Sequence, residues 1–200
     1  MAKLNFRYGA MNCGKSDTMI GAAYNYTENG HNVVTMMPKF MMRKPGFTTS
    51  RAGKEWPIDL ITDDETIVYS AYHAHIGRRS IACVLVDEAT FMTPGQIEDL
   101  WKIAKLDNTS VLAYGIRTNI QGHLFDGAKR LFELADTIEK MPTMCTCGKQ
   151  AEFNGRFVAE TFHVGEPIVM IDNDPGVVRY QSMCADCYIG HLGNPETILV

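Results

Sequence analysis

Apolar residues in the first 140 positions form short runs separated by helical patterns. Apolar and polar residues alternate over 4–8, which predicts a strand that ends at Gly9. The runs 33–37 and 81–86 are continuously apolar and of strand length, as in strands buried on both faces of a parallel sheet. A fourth strand is predicted over 111–115.

Helical spacing of apolar residues predicts four helices, over 16–29, 64–79, 94–106 and 126–135. Gly30 is placed to end the first helix, because glycine is the commonest residue just past a helix C-terminus. Thr93 and Pro94 are typical of an N-cap followed by the first helical position. Strands that alternate with helices indicate a doubly wound α/β domain with a parallel sheet.

The pattern changes in two places. Residues 38–57 contain three prolines and several Gly, Lys and Arg residues, so we predict a long mobile loop there. After residue 141, cysteine pairs bracket short strand-like segments and turns. We therefore predict an α/β domain over 1–141, a small β-rich lobe over 142–190 and a flexible tail over 191–200.

Composition narrows the class of protein. The chain has 200 residues, of which 46% are hydrophobic and 21% charged, as in a globular protein. A net charge of -4 argues against duplex DNA as the main partner. No apolar run reaches membrane-spanning length and no signal peptide precedes the first strand, so we predict a cytoplasmic protein with no membrane and no nucleic-acid partner.

A phosphate-binding loop is predicted between the first strand and the first helix. The sequence GAMNCGKS fits G-x-x-x-x-G-K-[ST] at every fixed position. Backbone N–H groups of such a loop surround an anion, and the following helix adds its positive N-terminal end. ATP would bind here, with the lysine on the outer phosphates and the serine near Mg²⁺. A chance match is the alternative. The residues are Gly9, Ala10, Met11, Asn12, Cys13, Gly14, Lys15 and Ser16.

Two carboxylates follow the buried strand 81–86. We assign Asp87 to Mg²⁺, directly or through water, and Glu88 to the role of general base towards the attacking hydroxyl. Adjacent strand residues point to opposite sides, which favours different tasks for the two. A solvated acidic turn is the alternative, and the pair does not by itself separate a kinase from an ATPase.

Four cysteines form two close pairs, Cys145 with Cys147 and Cys184 with Cys187. Four thiolates hold Zn²⁺ tetrahedrally and leave no open position, so a structural zinc site is predicted. Six cysteines without a secretion signal favour metal ligands or core thiols over disulfides, although disulfides and free thiols stay open as alternatives.

The full set of motifs resembles the zinc-containing, P-loop thymidine kinases of the type II family found in cells, bacteria and phages. The resemblance covers most of the chain, and its most specific segments are GAMNCGKS at 9–16, CVLVDEATF at 83–91, AYGIRT at 113–118, CTCG at 145–148 and YQSMC at 180–184. It implies a RecA-like P-loop sheet flanked by helices, and transfer of a phosphoryl group from ATP to the 5′-hydroxyl of thymidine.

Individual roles follow from the resemblance by position. Glu88 corresponds to the catalytic base and Phe91 to an aromatic residue that packs on the thymine ring. Met11 and Ile116 correspond to residues that line the base pocket. Ala89 and Thr90, which directly follow the catalytic base Glu88 in the sequence, fall among the nucleotide-binding residues.

The resemblance also implies a loop over 158–179 that wraps the nucleoside, with Arg156 at its start and Tyr180 at its end. Mg²⁺ and a structural Zn²⁺ are the implied metals, and zinc would anchor that loop. A homotetramer and feedback inhibition by thymidine triphosphate are further expectations from the family.

Three positions depart from the family pattern. Thr90 stands where the family usually has Gln, and 38–45 lacks the family's paired Asp and Arg, which makes Arg43 the candidate substitute. Asn154 replaces a hydroxyl residue near the nucleoside. These departures bear on substrate breadth and turnover. A nucleic-acid-stimulated ATPase and a zinc-ribbon module with structural ATP are the competing functions.

Overall fold

The computed structural model describes residues 1–169 and 178–193. Its strands are β1 (Leu4–Tyr8), β2 (Val33–Pro38), β3 (Phe47–Thr49), β4 (Glu55–Pro57), β5 (Leu60–Thr62), β6 (Cys83–Val86), β7 (Ser110–Gly115), β8 (Thr137–Lys140), β9 (Phe153–Val158), β10 (Thr161–Phe162) and β11 (Val178–Met183). Its helices are α1 (Lys15–Glu28), α2 (Val68–Ile76), α3 (Pro94–Leu106), α4 (Asp126–Leu134) and α5 (Ala185–Leu192).

A six-stranded sheet forms the centre of the molecule, in the order β5-β2-β6-β7-β1-β8. Every neighbouring pair in it is parallel. The predicted α/β class with a parallel sheet is therefore confirmed. The four predicted strands correspond to β1, β2, β6 and β7, with small shifts at their ends.

The two faces of the sheet bury alternate residues. Cys83 and Leu85 pack with α1, whereas Val84 and Val86 lie in the larger core with α2, α3 and α4. All four side chains are fully buried. A strand covered by helices on both faces must be apolar at every position, which explains why 81–86 shows no alternation.

Helix ends follow local chemistry at two predicted places. Thr93 and Gln96 form a capping box, with Pro94 in the first turn of α3. Asn29 is the C-cap of α1 and Gly30 follows it at φ 78°, a left-handed conformation that glycine adopts without strain. Both predicted boundaries are confirmed to within one residue.

Residues 38–57, predicted to be a long mobile loop, contain regular structure, so interpreting the whole segment as a loop was wrong. This segment contains a short helical turn, Lys39–Met41, and the antiparallel hairpin of β3 and β4. Each strand has three residues, too few to show a period. The hairpin is held by contacts distant in sequence, including the Thr48 hydroxyl on the Asp87 carboxylate. Local pattern carries no information on such contacts.

Other boundaries also differ from prediction. The helix predicted over 64–79 is shortened to α2, because Asp63 and Thr66 close a turn before it and Gly77 at φ 57° ends it. Strand β8 was not predicted, since three of its four side chains are exposed. The predicted tail 191–200 begins inside α5, and 194–200 lies outside the described residues.

A small antiparallel sheet, in the order β10-β9-β11, lies in the predicted lobe together with α5. Buried residues of this lobe include Phe157, Met183, Tyr188 and two of the cysteines. Among residues 1–169 and 178–193, no helix has the length and apolar character that crossing a membrane requires.

One glycine of α4 is required by close backbone approach. A Cβ on Gly127 would lie 2.4 Å from the Met92 carbonyl oxygen and 2.7 Å from that of Thr90. We expect Gly127→Ala to lower the free energy of unfolding by about 1–3 kcal/mol, because backbone atoms have to move. Urea denaturation measures this difference.

Gly21 in α1 is the matched control, since nothing lies within 4 Å of its added Cβ. Gly21→Ala should raise the free energy of unfolding by about 0.5–1 kcal/mol, the ordinary helix preference for alanine. Equal responses of the two variants would contradict the packing argument.

Candidate active site

The phosphate loop joins β1 to α1 in the predicted place. Asn12 and Gly14 have φ values of 65° and 78°, so two left-handed residues flank Cys13 and curl the backbone. Gly14 is the N-cap of α1, which directs the free N–H groups of the first helical turn towards the loop. A Cβ on Gly9 would lie 2.5 Å from the Cys13 Sγ, so only glycine fits there.

Lys15 is buried at the base of the loop. Its Nζ donates to the Ala10 carbonyl oxygen at 3.2 Å and lies 3.6 Å from the Cys13 Sγ. Met11, Asn12, Gly14, Lys15 and Ser16 line an open cleft. Gly9, Ala10 and Cys13, the other three predicted residues of the loop, are not among the residues that line the cleft.

The two carboxylates after β6 have separate surroundings, as expected for adjacent residues that point to opposite sides. Asp87 is buried, and its carboxylate accepts hydrogen bonds from the Thr48 hydroxyl and, at 3.0 Å, from the Glu88 N–H. Glu88 adopts a left-handed φ of 52° and turns towards the cleft. Its Oε2 atom is buried without a hydrogen-bond partner among the described residues.

Burial and the neighbouring Asp87 raise the pKa of Glu88 to about 7. Both factors disfavour a second negative charge in a poorly hydrated place. Lys15, Arg43 and Arg51 oppose the rise by attracting the ionised form. A carboxylate with this pKa accepts a proton near neutral pH and can release it again.

The segment 38–57 contributes two arginines to the cleft. Arg43 and Arg51 line the cleft, and they also line a second polar cavity that shares Ser16 and Glu88 with it. Arg43 was the sequence candidate for a phosphate contact, whereas Arg51 was missed. The excess of Lys and Arg over acidic residues in this segment was the available signal. Interpreting the segment as a loop gave no reason to place Arg51 at the site.

An apolar cavity adjoins the cleft and collects four of the five predicted substrate residues, Met11, Phe91, Ile116 and Tyr180. Met11 and Ile116 line both spaces, so the cavity and the cleft are continuous at these side chains. The Phe91 ring is held by Phe125, with ring centroids 4.7 Å apart, and by Phe40 at 5.8 Å. These contacts fix a flat aromatic surface at the cavity wall.

Arg156, the fifth predicted substrate residue, lies elsewhere. It is fully buried, and its guanidinium donates to the carbonyl oxygens of Gly165 and Pro167 and lies 2.8 Å from the His163 Nδ1. It thus fastens the first part of the predicted wrapping loop, whose Ile168 lines the apolar cavity. Residues 170–177 of that loop lie outside the described residues.

Three further predicted positions are buried. Ala89 and Thr90 form the helical turn that carries Phe91, and neither lines the cavities formed by the described residues. The Thr90 side chain fills the space beside Gly115, where an added Cβ would lie 2.4 Å from it. Asn154 lines the apolar cavity, but its amide is bonded to the backbone of Met11 and Thr118.

The four predicted zinc ligands come together in the lobe. The Sγ atoms of Cys145, Cys147, Cys184 and Cys187 all lie within 4.8 Å of one another. Gly148 follows the first pair at φ 86° and turns the chain. Backbone N–H groups of Cys147 and Cys184 lower the pKa of the Cys145 thiol to about 6, which favours the thiolate that binds zinc. A tetrahedral ion fits this donor set.

Comparison with known proteins agrees with this geometry. A family model described as thymidine kinase matches residues 2–188. The chain is 38% identical to the thymidine kinase of Enterobacteria phage T4 over 167 residues, or 83% of this chain and 86% of the phage protein. It is 36% identical to that of Coxiella burnetii over 198 residues, 98% of each. The chain belongs to the thymidine kinase family.

Membership of the thymidine kinase family makes the chain a kinase, and therefore a phosphotransferase that uses a nucleotide. The predicted resemblance is confirmed, as is the lobe with a cysteine cluster that can hold a metal such as zinc.

We expect purified protein to contain about one zinc per chain, because four clustered thiols form a closed tetrahedral site. Cys147→Ser should reduce the zinc content to near zero and lower the melting temperature. Atomic emission spectroscopy and calorimetry measure the two effects.

Cys13→Ser is the matched control, since Cys13 lies outside the cluster. It should keep its zinc. Zinc-free protein purified without chelator, or equal loss of zinc from both variants, would contradict the site.

Proposed function

We propose that the chain transfers the γ-phosphoryl group of ATP to the 5′-hydroxyl of thymidine. The observation that carries the proposal is the Oε2 atom of Glu88 beside the phosphate loop, which is buried and has no hydrogen-bond partner within 1–169 and 178–193. Phe91, Met11 and Ile116 line both the cleft and the apolar cavity. A nucleoside whose base occupied the cavity would direct its sugar hydroxyl towards this carboxylate.

Glu88 acts as the general base. Its free oxygen accepts the hydrogen bond of the 5′-hydroxyl and takes the proton as the oxygen attacks the γ-phosphorus. The O–P bond to the sugar forms while the bond from phosphorus to the β,γ-bridging oxygen breaks, and ADP leaves. A pKa near 7 keeps a useful fraction of Glu88 ionised at neutral pH.

Positive groups bind and orient the phosphates. Backbone N–H groups of the phosphate loop and the N-terminus of α1 receive the β-phosphate, and Lys15 reaches the outer phosphates. Arg43 and Arg51, which also line the cleft, offset the charge that develops on the transferred group. Ser16 and Asp87 supply hard oxygen ligands for Mg²⁺, which neutralises phosphate charge when bound.

The apolar cavity takes the base. Phe91 offers its ring face, and Met11, Ile116 and Tyr180 complete a wall that fits a 5-methyl pyrimidine. Arg156 positions the segment 163–169 over the cavity and so helps to exclude water, which would otherwise compete for the phosphoryl group. Zinc occupancy of the lobe, the homotetramer, feedback by thymidine triphosphate and cytoplasmic location remain predictions.

The defining experiment is ADP release by the purified chain with ATP and Mg²⁺, with each nucleoside added in turn. We expect release to rise with thymidine and to stay low with water alone or with DNA, because the base has to fill the cavity. Release that responds to DNA and to no nucleoside would overturn the proposal and favour the ATPase alternative.

Replacing Glu88 tests the base directly. Glu88→Gln should keep nucleotide binding and lower kcat for thymidine by about 100-fold or more, since the amide cannot accept the proton. For the unchanged chain, kcat/KM should fall as pH drops through about 7, because the raised pKa leaves Glu88 protonated below that value. Steady-state kinetics from pH 5.5 to 8.5 measure both effects.

The exposed Glu65 supplies the control. Glu65→Gln should match the unchanged chain in kcat and in its pH profile. An unimpaired Glu88→Gln variant, or one with the same acid limb as the unchanged chain, would remove Glu88 from the role of base.

A further inference from the structure

Both backbone polar groups of Met11 in the phosphate loop, its N–H and its C=O, are bound by side chains of the small lobe. The Met11 N–H donates to the Asn154 Oδ1 at 2.7 Å. The Met11 carbonyl oxygen accepts a hydrogen bond from the Ser182 hydroxyl. The contacts join residues that are 143 and 171 positions apart in the sequence.

Asn154 and Ser182 form one unit, which we call the Asn154–Ser182 pair. They face each other across the antiparallel strands β9 and β11. Both are buried, with 3% and 6% of their surface exposed. The Asn154 Nδ2 donates to the Thr118 carbonyl oxygen at 3.4 Å, which fixes the orientation of the amide. A sheet rather than a loop therefore holds the Met11 backbone.

Met11 connects the two halves of the site. Its side chain lines the polar cleft and the apolar cavity, and it packs against Ile120, Val178 and Tyr180. Its N–H is engaged by Asn154 and is therefore not a donor to phosphate. The loop N–H groups from Asn12 onward directly follow Met11, so the Met11 backbone sets the position from which they are directed at phosphate.

We propose that Asn154 and Ser182 are positioning residues. They hold the backbone N–H and C=O of Met11 and thereby couple nucleotide binding to nucleoside binding. The proposal rests on the function proposed above. A nucleoside that fills the apolar cavity restrains the Met11 side chain, while the pair restrains its backbone. Together they order the phosphate loop before ATP arrives, so each substrate raises the affinity for the other.

Two hydrogen bonds are sufficient for a measurable effect. Removal of either side chain leaves a buried N–H or carbonyl group of Met11 without its hydrogen bond, so the backbone at Met11 has to move to recover a partner. Phosphate-loop N–H groups work only in a narrow geometry, because small displacements of positioned groups cost large factors in rate and binding.

The test measures the affinity of β,γ-methylene-ATP with Mg²⁺ by calorimetry, with and without saturating thymidine. In the unchanged chain thymidine should tighten analogue binding. Ser182→Ala and Asn154→Leu should each weaken binding of the analogue alone by about five-fold, the effect of one neutral buried hydrogen bond. Both variants should also lose most of the tightening by thymidine.

Two further variants separate positioning from general stability. Ser182→Thr keeps the hydroxyl and should restore affinity and coupling. Gln181→Ala lies on the same strand, where its side chain bonds Thr146 and Arg179 instead of Met11, and should behave as the unchanged chain. Melting temperatures of all variants show whether each is folded.

The outcomes are distinct from those of the proposed function. Unchanged analogue affinity in Ser182→Ala and Asn154→Leu, or no effect of thymidine on analogue binding in the unchanged chain, would overturn the coupling even where thymidine is phosphorylated. Absence of thymidine phosphorylation would overturn the proposed function, and the affinity for the analogue alone would still show whether the pair positions the loop.

Discussion

The parallel arrangement of β6, β7 and β1 is the constraint on which the site depends. Their carboxyl ends meet at one edge of the sheet, so the phosphate loop after β1 and the carboxylates after β6 lie together although more than seventy residues separate them. Gly115 ends the strand between them. It accepts a hydrogen bond from the Gly9 N–H at 3.3 Å and leaves room for Thr90. The absence of a side chain at Gly115 allows the two functional loops this close approach.

Charge at this edge is arranged around one poorly hydrated carboxylate. Asp87 accepts one hydrogen bond on each carboxylate oxygen, from the Thr48 hydroxyl and from the Glu88 N–H, and so keeps its position. Glu88 is left with an oxygen that nothing in the described chain binds. Three cations oppose its protonation, and two of them, Arg43 and Arg51, come from the segment that also supplies Thr48. The segment 38–57 therefore bonds one carboxylate, Asp87, and brings two positive charges near the other, Glu88.

Sequence reasoning succeeded where the chemistry is encoded by neighbouring residues. The phosphate loop, the Asp87–Glu88 pair, the N-cap at Thr93 and the two cysteine pairs each depend on spacing within a few positions, and all lie where that spacing placed them. The buried strands were recognisable because both faces of the sheet are covered.

Features that depend on distant contacts were not recognised. The hairpin of β3 and β4 is too short for a pattern and is held by Asp87, and β8 is an edge strand with mostly exposed side chains. The role of Arg156 also depends on distant contacts. Its position at the start of a wrapping loop was predicted, but only the fold shows that its guanidinium is directed at loop carbonyls instead of the apolar cavity.

Asn154, where the resemblance leads one to expect a hydroxyl residue, shows that an amide is compatible with this architecture. A hydroxyl and an amide oxygen both accept a hydrogen bond, so either type of residue can receive the Met11 N–H. The amide of Asn154 donates from a separate atom, Nδ2, to the Thr118 carbonyl oxygen at 3.4 Å. Its polar atoms are thus directed at the backbone of two loops, although the residue borders an apolar cavity. Asn154 thereby links the lobe to the segment after β7 and leaves the cavity wall predominantly apolar.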